Sequence, residues 1–125
     1  MGREMRFRVL ATALAATLAF SITGIGTPAQ AATSIVRMKG TRNKFRPVHT
    51  YIAKGDKVSW RNMSRRVHDV TAYGGGWTFS KVLSPGQRTA RRFRKRRTYR
   101  YRCVRHSAIV NNRCSGMCGF VHVVA

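Results

Sequence analysis

The sequence predicts an all-β protein, a Greek-key β-sandwich of seven to eight short strands. Val, Ile, Thr, Tyr, Phe and Trp come in short bursts that Gly, Pro, Asn and Ser separate, which is the pattern of strands and turns. After residue 31, no stretch of ten residues carries apolar side chains at helical spacing. Turn signals recur at close and even intervals, as in a sandwich or barrel.

The first 31 residues are predicted to be a secretory signal peptide that precedes this domain. Three arginines come first, an apolar run extends from Val9 to Phe20, and Ala29-Gln30-Ala31 has the small residues of a cleavage site. The run is too short to be a membrane anchor, because a spanning helix takes about 20 apolar residues. We therefore expect export to the periplasm, the cell envelope or the medium, and a single mature domain over residues 32–125.

The predicted strands of that domain follow one another, each bounded by a turn signal. Lys57 to Arg61 alternate, so that Val58 and Trp60 share one face, and Tyr99, Tyr101 and Cys103 share a face in the same way. Three successive glycines predict a loop. A Ser-Pro-Gly sequence further along predicts a turn. The predicted strands are 34–38, 48–53, 57–61, 66–73, 87–93, 98–103 and 120–124, with the loop at 74–76 and the turn at 84–86.

The charge of residues 32–125 is strongly one-sided. Without the predicted signal, 22 basic residues remain and the acidic residues are only Asp56 and Asp69. Such a surface favours anionic partners, either an acidic protein or an anionic cell-envelope surface. The basic run over 91–97 would suggest nucleic-acid binding inside a cell. Because export argues against nucleic acid as the functional partner, we interpret this run as a solvated strand edge and turn.

Four residues of metal-binding types occur in a suggestive order. His68 stands alone in the middle of the domain, whereas Cys103, His106 and Met117 lie close together near its end. Two imidazoles, a thiolate and a long axial thioether are the ligand set of a blue-copper electron-transfer site. Thiolate and thioether favour Cu(I) and imidazole accepts Cu(II), so the set suits both oxidation states. The sequence therefore predicts one copper ion held by these four residues.

Several short motifs resemble the cupredoxins, the small blue copper proteins such as plastocyanin and azurin. The resemblance extends over nearly all of residues 32–125 and implies a cupredoxin-like Greek-key sandwich, one mononuclear copper ion and one-electron-carrier activity. We also expect the domain to be a monomer. His68 stands where the family has its first copper histidine. The motifs are Phe45-x-Pro47, YIAKGDKVSWRN over 51–62, LSPG over 83–86, YRYRCVRH over 99–106 and GMCGFVHV over 116–123.

The chain departs from the family pattern between its last two predicted ligands. Ten residues separate His106 from Met117, more than is usual in the family, and Cys114 and Cys118 bracket Met117. The preferred interpretation is a Cys114–Cys118 disulfide that stiffens this long loop, since exported cysteines are usually paired. Two alternatives stay open: one of these cysteines is itself a soft copper ligand, or a Cys103–Cys114 bridge destroys the site.

Asp69 is a second departure, because the family often has Asn after the first histidine. A carboxylate near the copper thiolate would lower the reduction potential, whereas the surrounding arginines would raise it. The other histidines of the domain, His49 and His122, are interpreted as ordinary surface residues.

Two further functions compete with electron transfer. A copper storage, resistance or delivery protein would use Cys114 and Cys118 to hold Cu(I), and a cationic envelope-binding protein would keep the fold with a vestigial site. Copper oxidases and nitrite reductases share this type of domain, but they need a further copper centre and a second domain. We therefore expect this chain not to be an enzyme.

Overall fold

The computed structural model describes residues 30–124, together with residues 15–17, 19 and 24. The predicted signal peptide, 1–31, lies almost wholly outside the described residues and stays a prediction. Among the described residues, no helix is long and apolar enough to cross a membrane. The regular elements within 30–124 are nine strands: β1 (Thr33–Lys39), β2 (Phe45–Arg46), β3 (His49–Ile52), β4 (Lys57–Met63), β5 (His68–Ala72), β6 (Ser80–Leu83), β7 (Arg88–Arg92), β8 (Thr98–Val110) and β9 (Arg113–Val123).

These strands form two sheets that enclose one core, so the predicted all-β sandwich is confirmed. One sheet has the order β2-β1-β4-β7 and the other β3-β9-β8-β5-β6. Most neighbours are not consecutive in the chain, and β1 with β4 and β3 with β9 pair in parallel. The prediction of seven to eight strands missed β2 and β6, which are only two and four residues long and show no alternating pattern.

Side chains from both sheets meet in the core, as the alternation within the strands predicts. Trp60 of β4 meets Tyr101 of β8 edge to face, with ring centroids 5.2 Å apart, and Tyr101 meets Phe45 in the same way at 4.8 Å. Burying one large apolar side chain stabilises a fold by about 1.5–3 kcal/mol. The buried apolar residues are Val36, Met38, Phe45, Ile52, Val58, Trp60, Val70, Leu83, Phe93, Tyr99, Tyr101, Cys103, Met117, Val121 and Val123.

The segment between the last two predicted ligands is a β-hairpin, so the expectation of a long loop there is wrong. Asn111 and Asn112 both have positive φ, 50° and 60°, as the two-residue hairpin turn of type I′ requires. Asn tolerates this backbone region better than most residues. Pairing from Ser107–Gly116 to Val110–Arg113 continues the two strands up to the turn. The ten-residue insertion is therefore a paired arm of the sheet.

Candidate metal centre

The hairpin is interrupted by a bulge, and the bulge carries the predicted ligands. Regular pairing stops after Arg102–Cys118 and resumes at Ser107–Gly116. In between, β8 has the four residues 103–106, whereas β9 has only Met117. Extra residues in one strand bend it and redirect its side chains. This bulge explains how one strand presents both Cys103 and His106 to a single point.

Three of the four predicted ligands lie together at this point. His68 Nδ1 lies 3.2 Å from His106 Nδ1, and Cys103 Sγ lies 3.4 Å from His106 Nδ1 and 3.8 Å from His68 Nδ1. A trigonal site with metal–ligand distances of about 2.0–2.3 Å separates its donor atoms by about 3.5–3.7 Å. The three donors therefore fit around one ion. Within the described part of the chain, this is the one cluster of three or more His, Cys, Asp or Glu side chains with metal-binding spacing.

Met117 stands opposite the bulge and is fully buried. It alternates with buried Val121 and Val123 along β9, on the face that points into the sandwich, and it belongs to the same core cluster as Cys103. Met117 therefore lies across the hairpin from the bulge that carries Cys103 and His106. The ligand role of Met117 remains a prediction.

The cysteines pair as the preferred interpretation of the sequence predicted. Cys114 and Cys118 form a disulfide with their Cα atoms 6.1 Å apart, and Cys103 is free and buried. An extended strand would separate residues four positions apart by about 13 Å, so β9 folds back on itself around Met117. The bridge leaves neither Cys114 nor Cys118 as a thiolate ligand, and it excludes a Cys103–Cys114 bond.

Asp69 is buried beside the predicted thiolate, as its position after His68 suggested. Its carboxylate accepts hydrogen bonds from the Val104 amide at 2.9 Å, the Arg105 amide at 3.4 Å and the Thr71 hydroxyl at 2.7 Å. The Cys103 thiol also donates to it, at 3.2 Å. Burial alone would raise the pKa of Asp69, but these hydrogen bonds outweigh burial and hold the pKa below its usual value. Asp69 therefore ties the bulge of β8 to β5.

The protonation of two predicted ligands follows from their burial. Burial raises the pKa of the Cys103 thiol, and the neighbouring Asp69 carboxylate also disfavours the thiolate. Burial lowers the pKa of His68, and the charges of His106 and Arg66 lower it further. At pH 7 these shifts favour the thiol form of Cys103 and the neutral imidazole form of His68 in the metal-free protein. A bound cation would displace the thiol proton, as metal binding to cysteine generally does.

Asn62 positions His68 from the neighbouring sheet, a role that the sequence analysis did not assign. Its amide nitrogen donates to the carbonyls of Arg66 at 2.7 Å and Leu83 at 2.8 Å, and its carbonyl oxygen accepts from the Ser64 amide at 3.0 Å. These bonds fix the turn before β5 against β6, where His68 pairs with Leu83. An Asn side chain that accepts from the backbone amide two residues on is typical of such a turn.

Superposition on solved structures identifies the fold type. A purple cupredoxin from Nitrosopumilus maritimus superposes with a TM-score of 0.60 at 17% identity, covering 73% of this chain and 99% of that chain. Amicyanin from Paracoccus versutus superposes with a TM-score of 0.58 at 24% identity, covering 79% of this chain and 86% of that chain. The chain has the cupredoxin fold.

A third solved structure contains a matching region within a much longer chain. A Cu-containing nitrite reductase from Thermus scotoductus SA-01 superposes with a TM-score of 0.61 at 25% identity, covering 74% of this chain but only 22% of that chain. No protein-family model and no curated protein matches the sequence. The similarity to known proteins is therefore one of structure, and an assignment of function has to rest on the residues of the site.

Proposed function

We propose that the protein is an exported, mononuclear type 1 copper protein that carries single electrons. The observation behind this proposal is the buried Cys103 thiol with two imidazole nitrogens within 3.8 Å of its sulfur. One thiolate and two imidazoles form the trigonal plane of a blue-copper site, with Met117 as the weak fourth ligand. A copper ion bound there would supply a one-electron couple. The purple cupredoxin and amicyanin, which share the fold, support this assignment.

The surrounding residues keep the donor atoms in place without the ion. Asp69 holds the 103–106 bulge through two backbone amides, and Asn62 holds the turn before His68. Ligands that other residues hold in this way keep their positions when the charge of the metal changes. Small rearrangement between the two oxidation states is what rapid electron transfer needs.

His106 is the ligand through which electrons would enter and leave. Cys103 and His68 are buried, whereas His106 is half-buried and its neighbours Val104 and Arg105 are exposed. A partner that covers the exposed bulge of β8 would approach the imidazole of His106 directly. The buried ligands would at the same time stay shielded from water.

The positive surface supports an acidic redox partner. Of the two acidic residues of the domain, Asp69 is buried at the site. The carboxylate of Asp56 accepts hydrogen bonds from the backbone amides of Ala32 and Ala53. The field around the molecule is therefore positive, which speeds association with an acidic protein and makes that rate fall with salt. The same charge would hold the monomer at an anionic envelope surface, and we propose no role for nucleic acid. The disulfide is in keeping with an exported protein.

The disulfide also weighs against the alternative of copper storage or delivery. Storage of Cu(I) relies on several thiolates, and here Cys103 alone of the three cysteines is free. An enzymatic role is not proposed, because this chain covers only 22% of the nitrite reductase that shares its fold.

The visible spectrum of the copper-loaded protein tests the proposal. We would add one equivalent of Cu(II) to residues 32–125 and compare the wild type with Cys103→Ser, using Val104→Ala as a matched control in the same bulge. We expect an intense thiolate-to-copper band in the wild type and the control and no such band in Cys103→Ser. A colourless wild type would contradict the proposal. Reversible one-electron voltammetry would then separate a carrier from a storage protein.

A further inference from the structure

A second pair of histidines faces solvent on the outer surface of the five-stranded sheet. We call His49 of β3 and His122 of β9 the outer histidine pair. Their strands run parallel, with Tyr51 opposite His122 and His49 opposite Phe120. This register makes the two histidines diagonal neighbours, and His49 Nδ1 lies 2.9 Å from His122 Nε2.

Aromatic neighbours fix the orientation of both rings. His49 stacks on Phe120 with centroids 4.6 Å apart and planes 5° from parallel, and Tyr51 stacks on His122 at 4.6 Å and 15°. The two imidazole planes differ by only 18°. The rings are therefore arranged before any ligand arrives, which reduces the entropy lost on binding.

The hydrogen bonds make a lone pair available on His122. Its Nδ1 lies 3.1 Å from the Thr98 hydroxyl oxygen, which can accept a hydrogen bond from Nδ1–H. In that tautomer, Nε2 has a free lone pair on the side of His49. A metal-binding histidine typically has such a partner on its other nitrogen. Partial burial and the nearby His49 lower the pKa of His122, so this ring is neutral at pH 7. His49 is exposed, so its ring is open to solvent.

We propose that His49 Nδ1 and His122 Nε2 together bind a divalent transition-metal ion, with water in its other coordination positions. Metal–nitrogen bonds of about 2.0–2.1 Å place neighbouring donors about 2.9–3.4 Å apart, and the observed separation is 2.9 Å. Imidazole suits Cu(II), Ni(II) and Zn(II), among which Cu(II) binds most tightly. Without a thiolate, copper at this site gives no intense blue colour and exchanges readily with solution.

The charge of the protein gives this site a distinctive salt dependence. The chain has a formal net charge of +22, which opposes the approach of a cation. Added salt screens that repulsion, so metal binding at the outer histidine pair strengthens as ionic strength rises. Docking of an acidic protein would show the opposite trend.

Zinc titration of the metal-free protein, followed by NMR of the histidine ring nitrogens, tests the proposal. The protein must lack a polyhistidine tag, which would compete for zinc. We expect the His49 and His122 signals to shift together with one apparent affinity. His122→Asn should abolish the shift at His49, His49→Asn should abolish the shift at His122, and each should weaken zinc binding at this pair at least tenfold. Tyr51→Phe, on the same face, should leave the paired shift in place.

Two results would overturn the proposal. In the first, zinc shifts the His49 signal in His122→Asn as much as in the wild type. In the second, neither the His49 nor the His122 signal of the wild type moves at millimolar zinc. In both cases the pair is only a hydrogen bond between β3 and β9. The His68 and His106 signals report on the inner centre in the same spectra, so failure of one site is distinguished from failure of the other. Since both outer residues lie at the surface, circular dichroism should show that their variants stay folded.

Discussion

The inner and outer histidine pairs look alike in spacing but differ in surroundings. His68 and His106 place nitrogens 3.2 Å apart, and His49 and His122 place them 2.9 Å apart. His68 is 2% exposed and has the Cys103 sulfur beside it, whereas the outer pair faces solvent beside Tyr51 and has no sulfur. Imidazole spacing therefore permits metal binding at both places, but only the inner pair has beside it the buried Cys103 thiol that a type 1 copper site would use.

The two pairs also differ in how the backbone builds them. The inner pair joins the start of β5 to a bulge of β8, and buried polar residues hold both ends: Asn62 for the turn and Asp69 for the bulge. The outer pair needs only the regular register of β3 and β9 and the stacking of aromatic rings. Buried polar groups destabilise a fold unless each is hydrogen-bonded, so the inner site requires supports that the outer site does not.

The largest expected difference is between His68→Asn and His122→Asn. His68→Asn should eliminate the intense copper band and lower the free energy of unfolding of the metal-free protein by about 1–3 kcal/mol, because it disturbs a buried polar site. His122→Asn should keep the band and change stability by less than about 0.5 kcal/mol. Copper titration by visible absorbance and urea unfolding measure both. A band of wild-type intensity in His68→Asn would contradict the inner assignment.

Opening the disulfide should affect the inner site alone. Bridging Cys114 and Cys118 closes a five-residue loop, for which the chain-entropy model gives about 2 kcal/mol of stabilisation. The double variant Cys114→Ser/Cys118→Ser should lose about that much in urea unfolding. It should also alter the visible copper spectrum, because Met117 is held less firmly, while zinc binding at the outer pair stays unchanged. Ser115→Ala, in the same segment, is the control. An unaltered copper spectrum would mean that the arm does not constrain Met117.

Asp69→Asn should raise the reduction potential. Asn keeps the size of Asp69 and an oxygen for the backbone amides of the bulge, but it removes a negative charge 3.2 Å from the Cys103 sulfur. Because metal binding displaces the thiol proton, the effect in the loaded protein comes from the carboxylate charge itself, which stabilises the more positive oxidised metal by a Coulombic interaction. Voltammetry should show this rise in Asp69→Asn and a much smaller one in Asp56→Asn. Equal shifts in both variants would indicate a general charge effect.

The smallest effect expected is a pH dependence in the stability of the metal-free protein. The folded state holds the pKa of His68 below its usual value of 6.5, and it also lowers that of His122. Below about pH 6.5 the unfolded chain therefore binds more protons, so stability falls as pH falls, with a slope that is a fraction of the roughly 1.4 kcal/mol per pH unit that a difference of one whole proton would give. Urea unfolding between pH 7.5 and 5.5 should show a slope that His68→Asn reduces more than His122→Asn. A slope that neither variant changes would assign the effect to other groups.

Much of the inner site could be predicted because its information is local. The alternation of Tyr99, Tyr101 and Cys103 places the thiol inside the sandwich, and the C-x₂-H spacing keeps His106 within reach. The all-β fold likewise follows from strand and turn patterns that each lie within a few residues. The hairpin turn could also have been predicted locally, because two successive asparagines are typical of a two-residue turn. The interpretation of residues 107–116 as an inserted loop missed this hairpin.

By itself, the sequence determined the fold class, the inward position of Cys103, the strongly positive charge and the types of the candidate ligands. Only the tertiary structure decided which cysteines pair, where β8 bulges, that Asp69 holds the bulge and that His49 meets His122. The last two are 73 positions apart in the chain, and no local pattern links them. Strand order and register bring them together, and these depend on how all nine strands share one core, which is a property of the whole chain.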